Sequence, residues 1–165
     1  MTPKSISFLM RLEGVWIGEG KGSFPPRVPE FKYIEELTIK QGAKPSIFEF
    51  RSATRRSETG EPMHVEVGFI RCIPESSSIE LVASHPFGLC EVSHGSMFDS
   101  NILELRSAEE GLVRTQSAKG ARTTRLSRVY ELDPVSSSLT FTVDMATDGH
   151  PSIQNHLVCI MRRRN

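Results

Sequence analysis

The sequence lacks the features that mark membrane-spanning proteins, secreted proteins and nucleic-acid-binding proteins. No stretch approaches the roughly 20 consecutive apolar residues that a bilayer-spanning helix needs, and the N-terminus holds no apolar run typical of a signal peptide. The chain has 20 Lys+Arg and 20 Asp+Glu, for a formal net charge of zero. This balance gives no electrostatic reason to expect nucleic acid or an acidic membrane as a partner.

Cysteine is also scarce, with only Cys72, Cys90 and Cys159. Their number is odd, their spacing is wide and no C-x-x-C pair occurs, so the sequence predicts neither a zinc site nor a thioredoxin-like motif. Thiols of this kind are typical of a reducing compartment. We therefore expect a cytoplasmic protein, with the nucleus as the second compartment that fits.

What the sequence does contain is a succession of short segments rich in β-branched, aromatic and apolar residues, separated by polar turns. This pattern is typical of an all-β barrel or sandwich. No segment is long enough for the crossover helix of a parallel βαβ unit. The pattern predicts a single domain over residues 1–165. We expect an antiparallel β-barrel of about ten strands, similar in shape to lipocalins and fatty-acid-binding proteins.

A short helix is predicted over residues 5–12, where apolar residues recur at near-helical spacing. Trp16 then opens the first strand. Further strands are predicted at 33–40, 46–53, 64–73, 79–84, 90–96, 102–106, 112–117, 124–132, 139–146 and 155–161. An eight-stranded barrel can already hold one small ligand, so a barrel of about ten strands should enclose a cavity. The predicted fold therefore implies a bound ligand.

The segment 14–22 has the pattern G-x-W-x-G-x-G. Glycine in a strand removes the side chain where another backbone or side chain approaches closely. We expect Trp16, the only tryptophan, to fill the closed end of the barrel. The order G-x-G-x-x-G is absent and no helix follows, so the segment is not a dinucleotide-binding loop.

This motif and further segments along the chain resemble the nitrobindin family. The matching segments, in order from about Leu9 to Met161, are 23–25, 31–36, 44–45, 61–69, 88–92, 145–147 and 154–157. The same domain forms the C-terminal part of a THAP-type zinc-finger protein in animals. Because no zinc-finger pattern precedes it here, the resemblance covers the barrel domain alone.

The resemblance implies a ten-stranded barrel that holds a non-covalent haem b, with ferric iron, at its open end. It also implies binding of nitric oxide and isomerisation of peroxynitrite to nitrate. His156 matches the histidine of the last strand that ligates the iron in this family, and a neutral imidazole is a common axial ligand. The loop between Met145 and His156 is one residue longer than is usual in this family, so His150, which lies in the loop, is a competing ligand.

Other residues match positions around the family's pocket. Met63 and His64 match a pair that faces the cavity, where His64 either contacts the haem or is a wall residue with no chemical role. His85 occupies a position that is often glutamine. There it would be a distal hydrogen-bond donor to an iron-bound ligand, or would approach the iron itself. Met145 matches a cavity methionine, and Pro26 aligns with a residue that borders the haem.

Two alternatives remain open at this point. The first is a non-enzymatic carrier of an apolar ligand such as a fatty acid, because Arg128 and Tyr130 are similar to a carboxylate clamp of that carrier class. The second is a haem-free interaction module. A homodimer is also left open. His94 is interpreted as a surface residue, and the basic side chains between 114 and 128 are interpreted as a solvated face.

Overall fold

The computed structural model describes residues 3–73, 76 and 78–164. Residues 1, 2 and 165, the ends of the predicted domain, lie outside the described residues. A helix precedes ten strands in the described part of the chain. The elements are α1 (Lys4–Leu12), β1 (Gly14–Phe24), β2 (Val28–Gln41), β3 (Ile47–Arg56), β4 (Pro62–Ile73), β5 (Ser78–His85), β6 (Leu89–Met97), β7 (Ile102–Arg114), β8 (Thr123–Asp133), β9 (Ser138–Thr147) and β10 (His150–Arg163).

The strands form one closed antiparallel barrel. Each strand pairs with its neighbours in sequence, and β1 also pairs with β10, which closes the sheet. The alternation of side chains along the strands determines which face is inside: in β9, Leu139, Phe141 and Val143 are buried, while Thr140 and Thr142 between them are half-buried. The predicted barrel of about ten antiparallel strands with a short N-terminal helix is confirmed.

Strand β7 differs from the prediction, because one strand replaces the two predicted at 102–106 and 112–117. The pairing of β7 with β6 shifts from Ser93–Ser107 to Glu91–Leu112. Residues 108–111, which contain the turn-like Glu-Glu-Gly sequence, therefore lie opposite the single residue Val92 of β6 within a continuous strand. A bulge of this kind bends a strand without ending it, so turn residues alone did not indicate a strand boundary.

Helix α1 covers one end of the barrel with its apolar face. Phe8, Leu9 and Leu12 are completely buried, as the spacing of an amphipathic helix requires. Trp16 is buried beside them, and its indole Nε1 donates a hydrogen bond to the Leu12 carbonyl oxygen at 2.8 Å. This end is therefore packed with side chains. In the described residues, no helix is long and apolar enough to cross a membrane.

The glycines of the G-x-W-x-G-x-G segment make room for two aromatic rings on β2. A Cβ atom at Gly20 would lie 2.4 Å from Cζ of Tyr33, and one at Gly22 would lie 2.3 Å from Cζ of Phe31. Both distances are much shorter than a van der Waals contact between two carbon atoms, so a side chain at either position would clash with the ring. The motif therefore allows Phe31 and Tyr33 to lie across β1 inside the barrel, where both rings line a cavity.

We expect Gly20→Ala to destabilise the barrel by about 1–3 kcal/mol, because the added methyl group overpacks against the buried ring of Tyr33. Gly149→Ala is the matched control, since its Cβ would meet only the Arg27 guanidinium at 3.5 Å. Urea unfolding followed by tryptophan fluorescence measures both changes. Equal unfolding midpoints for the two variants would contradict this account of the motif.

Candidate functional site

A cavity of about 360 Å³ lies inside the barrel at the end opposite α1. Most of its wall is apolar, with Phe31, Leu126, Phe141, Val143 and Leu157 among the lining residues. Titratable side chains enter the cavity from two sides. His156 on β10 lies on one side, and the residues on the other side are His64, Glu66, His85 and Arg128. The cavity therefore combines a mostly apolar surface with several convergent polar groups, a composition that is usual for ligand sites.

His156 reaches the cavity because β10 has a bulge at this position. The pairing with β9 shifts between Asn155–Asp144 and Leu157–Val143, which leaves His156 without a partner in the ladder. Bulges redirect side chains, and here the adjacent residues His156 and Leu157 both line the cavity. His156 is therefore placed by the register of the barrel, and not by simple alternation.

The His156 ring is oriented by the backbone. Its Nδ1 lies 2.9 Å from the carbonyl oxygen of Ser23, which can only accept, so Nδ1 carries the proton and donates this hydrogen bond. Nε2 is then the unprotonated nitrogen with a free lone pair. Burial lowers the pKa of His156, although the hydrogen bond to Ser23 acts in the opposite direction. At neutral pH the side chain is thus a neutral imidazole with one defined ligating atom.

Met63 and His64 lie on the other side of the cavity, on β4. The pairing of β3 with β4 shifts between Thr54–His64 and Arg55–Pro62, so Met63 is an extra residue in β4. Both side chains consequently line the cavity although they are neighbours in sequence. Burial lowers the pKa of His64, and the nearby Glu66 carboxylate opposes this shift.

His64 contacts a second histidine, His85, at the end of β5. Nε2 of His64 lies 3.0 Å from Nδ1 of His85. The side chain of His85 is 4% exposed and that of His64 is 38% exposed. His64 therefore lies closer to solvent, and His85 lies deeper, with its ring between two carboxylates. Its Nδ1 is 3.6 Å from Glu66 Oε2, and its Nε2 is 3.6 Å from Glu91 Oε2.

Arg128 is buried beneath the two histidines and holds both carboxylates. Nη1 and Nη2 donate to the two oxygens of Glu66 at 2.8 and 2.7 Å. Nε and Nη2 donate to the two oxygens of Glu91 at 3.0 and 2.6 Å. Burial alone would raise the pKa of both glutamates, but the Arg128 guanidinium outweighs it and holds both pKa values below the usual range. One positive and two negative side chains leave this cluster with a formal charge of −1.

A third buried carboxyl group, Glu35 on β2, lies beside this cluster. Burial raises its pKa to about 7, although the hydroxyl of Ser52 donates a hydrogen bond to Oε1 at 2.7 Å and opposes the shift. Its other oxygen and the hydroxyl group of Tyr33 are buried without a partner among the described residues. Both residues line the cavity, so they offer hydrogen-bonding atoms to a bound molecule.

Most of the residues singled out from the sequence lie together around the cavity. The lining includes His156, Met63, His64, His85 and Met145. Pro26 is exposed in the turn between β1 and β2, after a cis Pro25–Pro26 peptide bond, and is not among the cavity-lining residues described. His150 lies at the start of β10, where its ring contacts Phe24 edge-on at 5.8 Å between ring centroids, and it does not appear in the lining either. His94 is exposed on β6, as predicted.

The buried charged cluster was not predicted from the sequence. Arg128 was grouped with a solvated basic face, and this interpretation is wrong, because only 3% of its surface is exposed. A usable signal was present: Arg128 alternates with Leu126 and Tyr130, both buried, so it must point inward. The same spacing places Glu35 with Tyr33 and Leu37 on the inner face of β2.

The chain is similar in sequence to a haem-binding β-barrel family and to proteins named peroxynitrite isomerase. The sequence model described as "THAP4-like, heme-binding beta-barrel domain" matches residues 5–163. The chain is 33% identical over 160 residues to peroxynitrite isomerase 1 of Mycolicibacterium paratuberculosis, covering 96% of this chain and 94% of the relative. It is 34% identical over 154 residues to a peroxynitrite isomerase of Arabidopsis thaliana, covering 93% of this chain and 85% of that protein.

The fold is also similar to a solved structure. The crystal structure of Rv2717c from M. tuberculosis superposes with a TM-score of 0.83 at 28% sequence identity. The superposition covers 100% of this chain and 99% of the other. The similarity therefore extends over the whole barrel and is not limited to the residues around the cavity.

Proposed function

This chain belongs to the THAP4-like haem-binding β-barrel family, and on that premise we propose that it binds a non-covalent ferric haem b through His156 and isomerises peroxynitrite to nitrate. One observation carries the proposal. His156 is a neutral imidazole in an apolar cavity, with Nδ1 donating to the Ser23 carbonyl group and Nε2 left as a free ligand atom. A backbone carbonyl on the far nitrogen is the usual support of a metal-ligating histidine.

The residues around the cavity fit a haem. A volume of about 360 Å³ is typical of small-molecule and cofactor sites, and the apolar side chains suit a flat macrocycle. The buried cluster of Glu66 and Glu91 with Arg128 carries excess negative charge, so it disfavours the two propionates of a haem in its vicinity. This part of the lining would therefore not hold the propionates of a haem.

A bound haem would supply a Lewis-acidic, redox-active iron for the rearrangement. The side chains of this protein have the supporting tasks. His156 would hold the iron, and the Ser23 carbonyl group orients the ring of His156. Met63 and Met145 fill the walls. Since peroxynitrite and nitrate have the same atoms and charge, the protein needs to supply neither net electrons nor net protons.

On the opposite wall we assign His64 as the polar group that meets the bound nitrogen oxide. It is the more exposed member of the histidine pair, and its ring lines the cavity. His85, which the resemblance gave as the distal donor, lies deeper than His64. We propose a positioning role for it instead, because its Nδ1 lies 3.0 Å from Nε2 of His64 and its ring lies between two carboxylates. Polarity on this side decides whether a haem ligand is bound or activated. Nitric oxide, bound reversibly, is the second ligand that we propose for this position.

The alternative of a fatty-acid carrier has little support from the site. The suggested clamp residue Arg128 already donates four hydrogen bonds to Glu66 and Glu91. A fatty-acid carboxylate would therefore have to compete with two carboxylates that are part of the protein. Cys72, Cys90 and Cys159 are all free thiols, which supports our proposal of a cytoplasmic, reducing location.

We expect His156→Ala to weaken haem binding at least about tenfold, because the iron loses its protein ligand. A hemin titration of the purified protein, followed by the Soret absorbance, measures this effect. Wild type should saturate at one haem per chain. His150→Ala is the matched control, since it removes a neighbouring histidine of the same strand.

Two outcomes would contradict the proposal. If no Soret band develops with wild type, the chain is a haem-free module. If His150→Ala loses the band while His156→Ala keeps it, the iron ligand has been misassigned. For the reaction itself, the nitrate yield from peroxynitrite should rise with haem-loaded wild type and fall to the background level with His156→Ala.

A further inference from the structure

Three side chains on the wall opposite His156 converge as metal ligands do. Nε2 of His64, Nδ1 of His85 and Oε2 of Glu66 all lie within 4.8 Å of one another. The separations are 3.0 Å between the two nitrogens, 3.6 Å from His85 to the carboxylate and 4.0 Å from His64 to it. Neighbouring ligand atoms around a tetrahedral zinc ion are about 3.4 Å apart, as follows from bond lengths near 2.1 Å. The three atoms thus need only small shifts to surround one ion.

The groups behind these three atoms also fit a metal site. Nε2 of His85 is buried, lacks a hydrogen-bond partner among the described residues, and lies 3.6 Å from Glu91 Oε2. With a metal on Nδ1, the proton of His85 must be on Nε2, facing this carboxylate. A carboxylate behind a ligating histidine is the common supporting arrangement in metalloproteins. Glu66 is similarly fixed by its two hydrogen bonds from Arg128.

We propose that His64, His85 and Glu66 form a binding site for a divalent first-row transition-metal ion, separate from the haem ligand His156. Two imidazoles and one carboxylate, with further positions open towards the cavity, are a donor set used by zinc, iron(II) and cobalt(II). The formal charge of −1 on Arg128, Glu66 and Glu91 favours a cation at this place. The proposal goes beyond haem binding, because none of its three ligands is the proposed haem ligand. It concerns the haem-free chain, in which His64 does not contact a haem-bound nitrogen oxide.

Cobalt(II) is the probe of choice, because its visible d–d absorption reports the number and type of its ligands. The full chain, free of haem and treated with a chelator, is titrated with Co²⁺, and zinc affinity follows from displacement of the cobalt. Wild type should bind one Co²⁺ per chain with nitrogen and oxygen ligands. His85→Gln and His64→Gln should each weaken binding by at least about 100-fold, since loss of a supporting residue alone costs 10–100-fold.

Two control variants separate this site from other histidines. His94→Gln removes an exposed histidine on β6 and should bind cobalt like wild type. His156→Ala should also keep the cobalt site while it loses haem, so the failure of one proposal is distinguishable from the failure of the other. Because His64 is only half-buried, His64→Gln keeps the experiment decisive if the buried His85→Gln variant does not fold.

The proposal is overturned if wild type shows no saturable cobalt absorption. It is also overturned if both His64→Gln and His85→Gln bind cobalt like wild type. A near-UV charge-transfer band would overturn it as well, because such a band shows that a thiolate such as exposed Cys90 holds the ion. Thermal unfolding gives an independent readout. Zinc should raise the unfolding temperature of wild type and of His94→Gln, but not that of His64→Gln.

Discussion

Replacing Arg128 with leucine is expected to lower the free energy of unfolding by about 3–5 kcal/mol. The guanidinium is almost completely buried and makes four hydrogen bonds to Glu66 and Glu91. Leucine fills much of the same volume but leaves two buried carboxylates facing each other without a counter-charge. Their desolvation cost is then no longer offset, and their mutual repulsion adds to it.

Arg125→Leu is the matched control, because Arg125 is an exposed arginine on the same strand, β8. Its free energy of unfolding should change by no more than about 0.5 kcal/mol. Urea unfolding at neutral pH measures both variants. Adding Glu66→Gln and Glu91→Gln to Arg128→Leu should recover part of the lost stability, since these changes remove the unpaired charges. Equal stability of the two arginine variants would show that the cluster is not a buried ionic network.

The second large effect concerns Glu35 and pH. Burial raises the pKa of Glu35 from 4.5 to about 7, so the folded protein binds this proton more tightly than the unfolded chain does. The stabilising contribution of protonated Glu35 to the free energy of unfolding is fully present below pH 4.5. It is lost as the pH rises towards 7. At 1.36 kcal/mol per pKa unit, the ionised Glu35 costs roughly 3 kcal/mol above pH 7.

Glu35→Gln removes this titration but keeps an oxygen atom to accept the hydrogen bond from Ser52. We therefore expect the free energy of unfolding of the variant, relative to that of wild type, to rise by about 2.5 kcal/mol as the pH increases from 5 to 8. Glu66 and Glu91, whose pKa values are lowered, act in the opposite direction, but they are common to both proteins and cancel in the difference. Urea unfolding at several pH values gives the free energy of unfolding of both proteins as a function of pH.

Glu30→Gln is the control for this experiment, since Glu30 is an exposed glutamate on the same strand, β2. Its free energy of unfolding at neutral pH should differ from that of wild type by no more than about 0.5 kcal/mol. A difference between Glu35→Gln and wild type that stays constant from pH 5 to pH 8 would contradict the raised pKa of Glu35. The result matters for function as well, because Glu35 lines the cavity, and a carboxyl group that ionises near pH 7 changes the charge of the cavity lining.

The amino-acid sequence by itself determined where the strands lie, because the alternation of buried and exposed side chains is a property of each single strand. In a strand, neighbouring side chains point to opposite faces, so a segment such as Leu139–Phe141–Val143 shows its buried face without knowledge of any partner. The family motifs also pointed to His156 and to the Met63–His64 pair from the sequence alone. The one error in strand number, at β7, arose because a bulge and a turn use similar residues.

Only the tertiary structure decided how the site is built. Glu35, Glu66, His85, Glu91 and Arg128 lie on five different strands, and closure of the barrel is what brings them together. Two of the residues that face the cavity, Met63 and His156, do so because the register shifts beside them. Register depends on the pairing of strands that are distant in sequence, so alternation along a single strand cannot predict it.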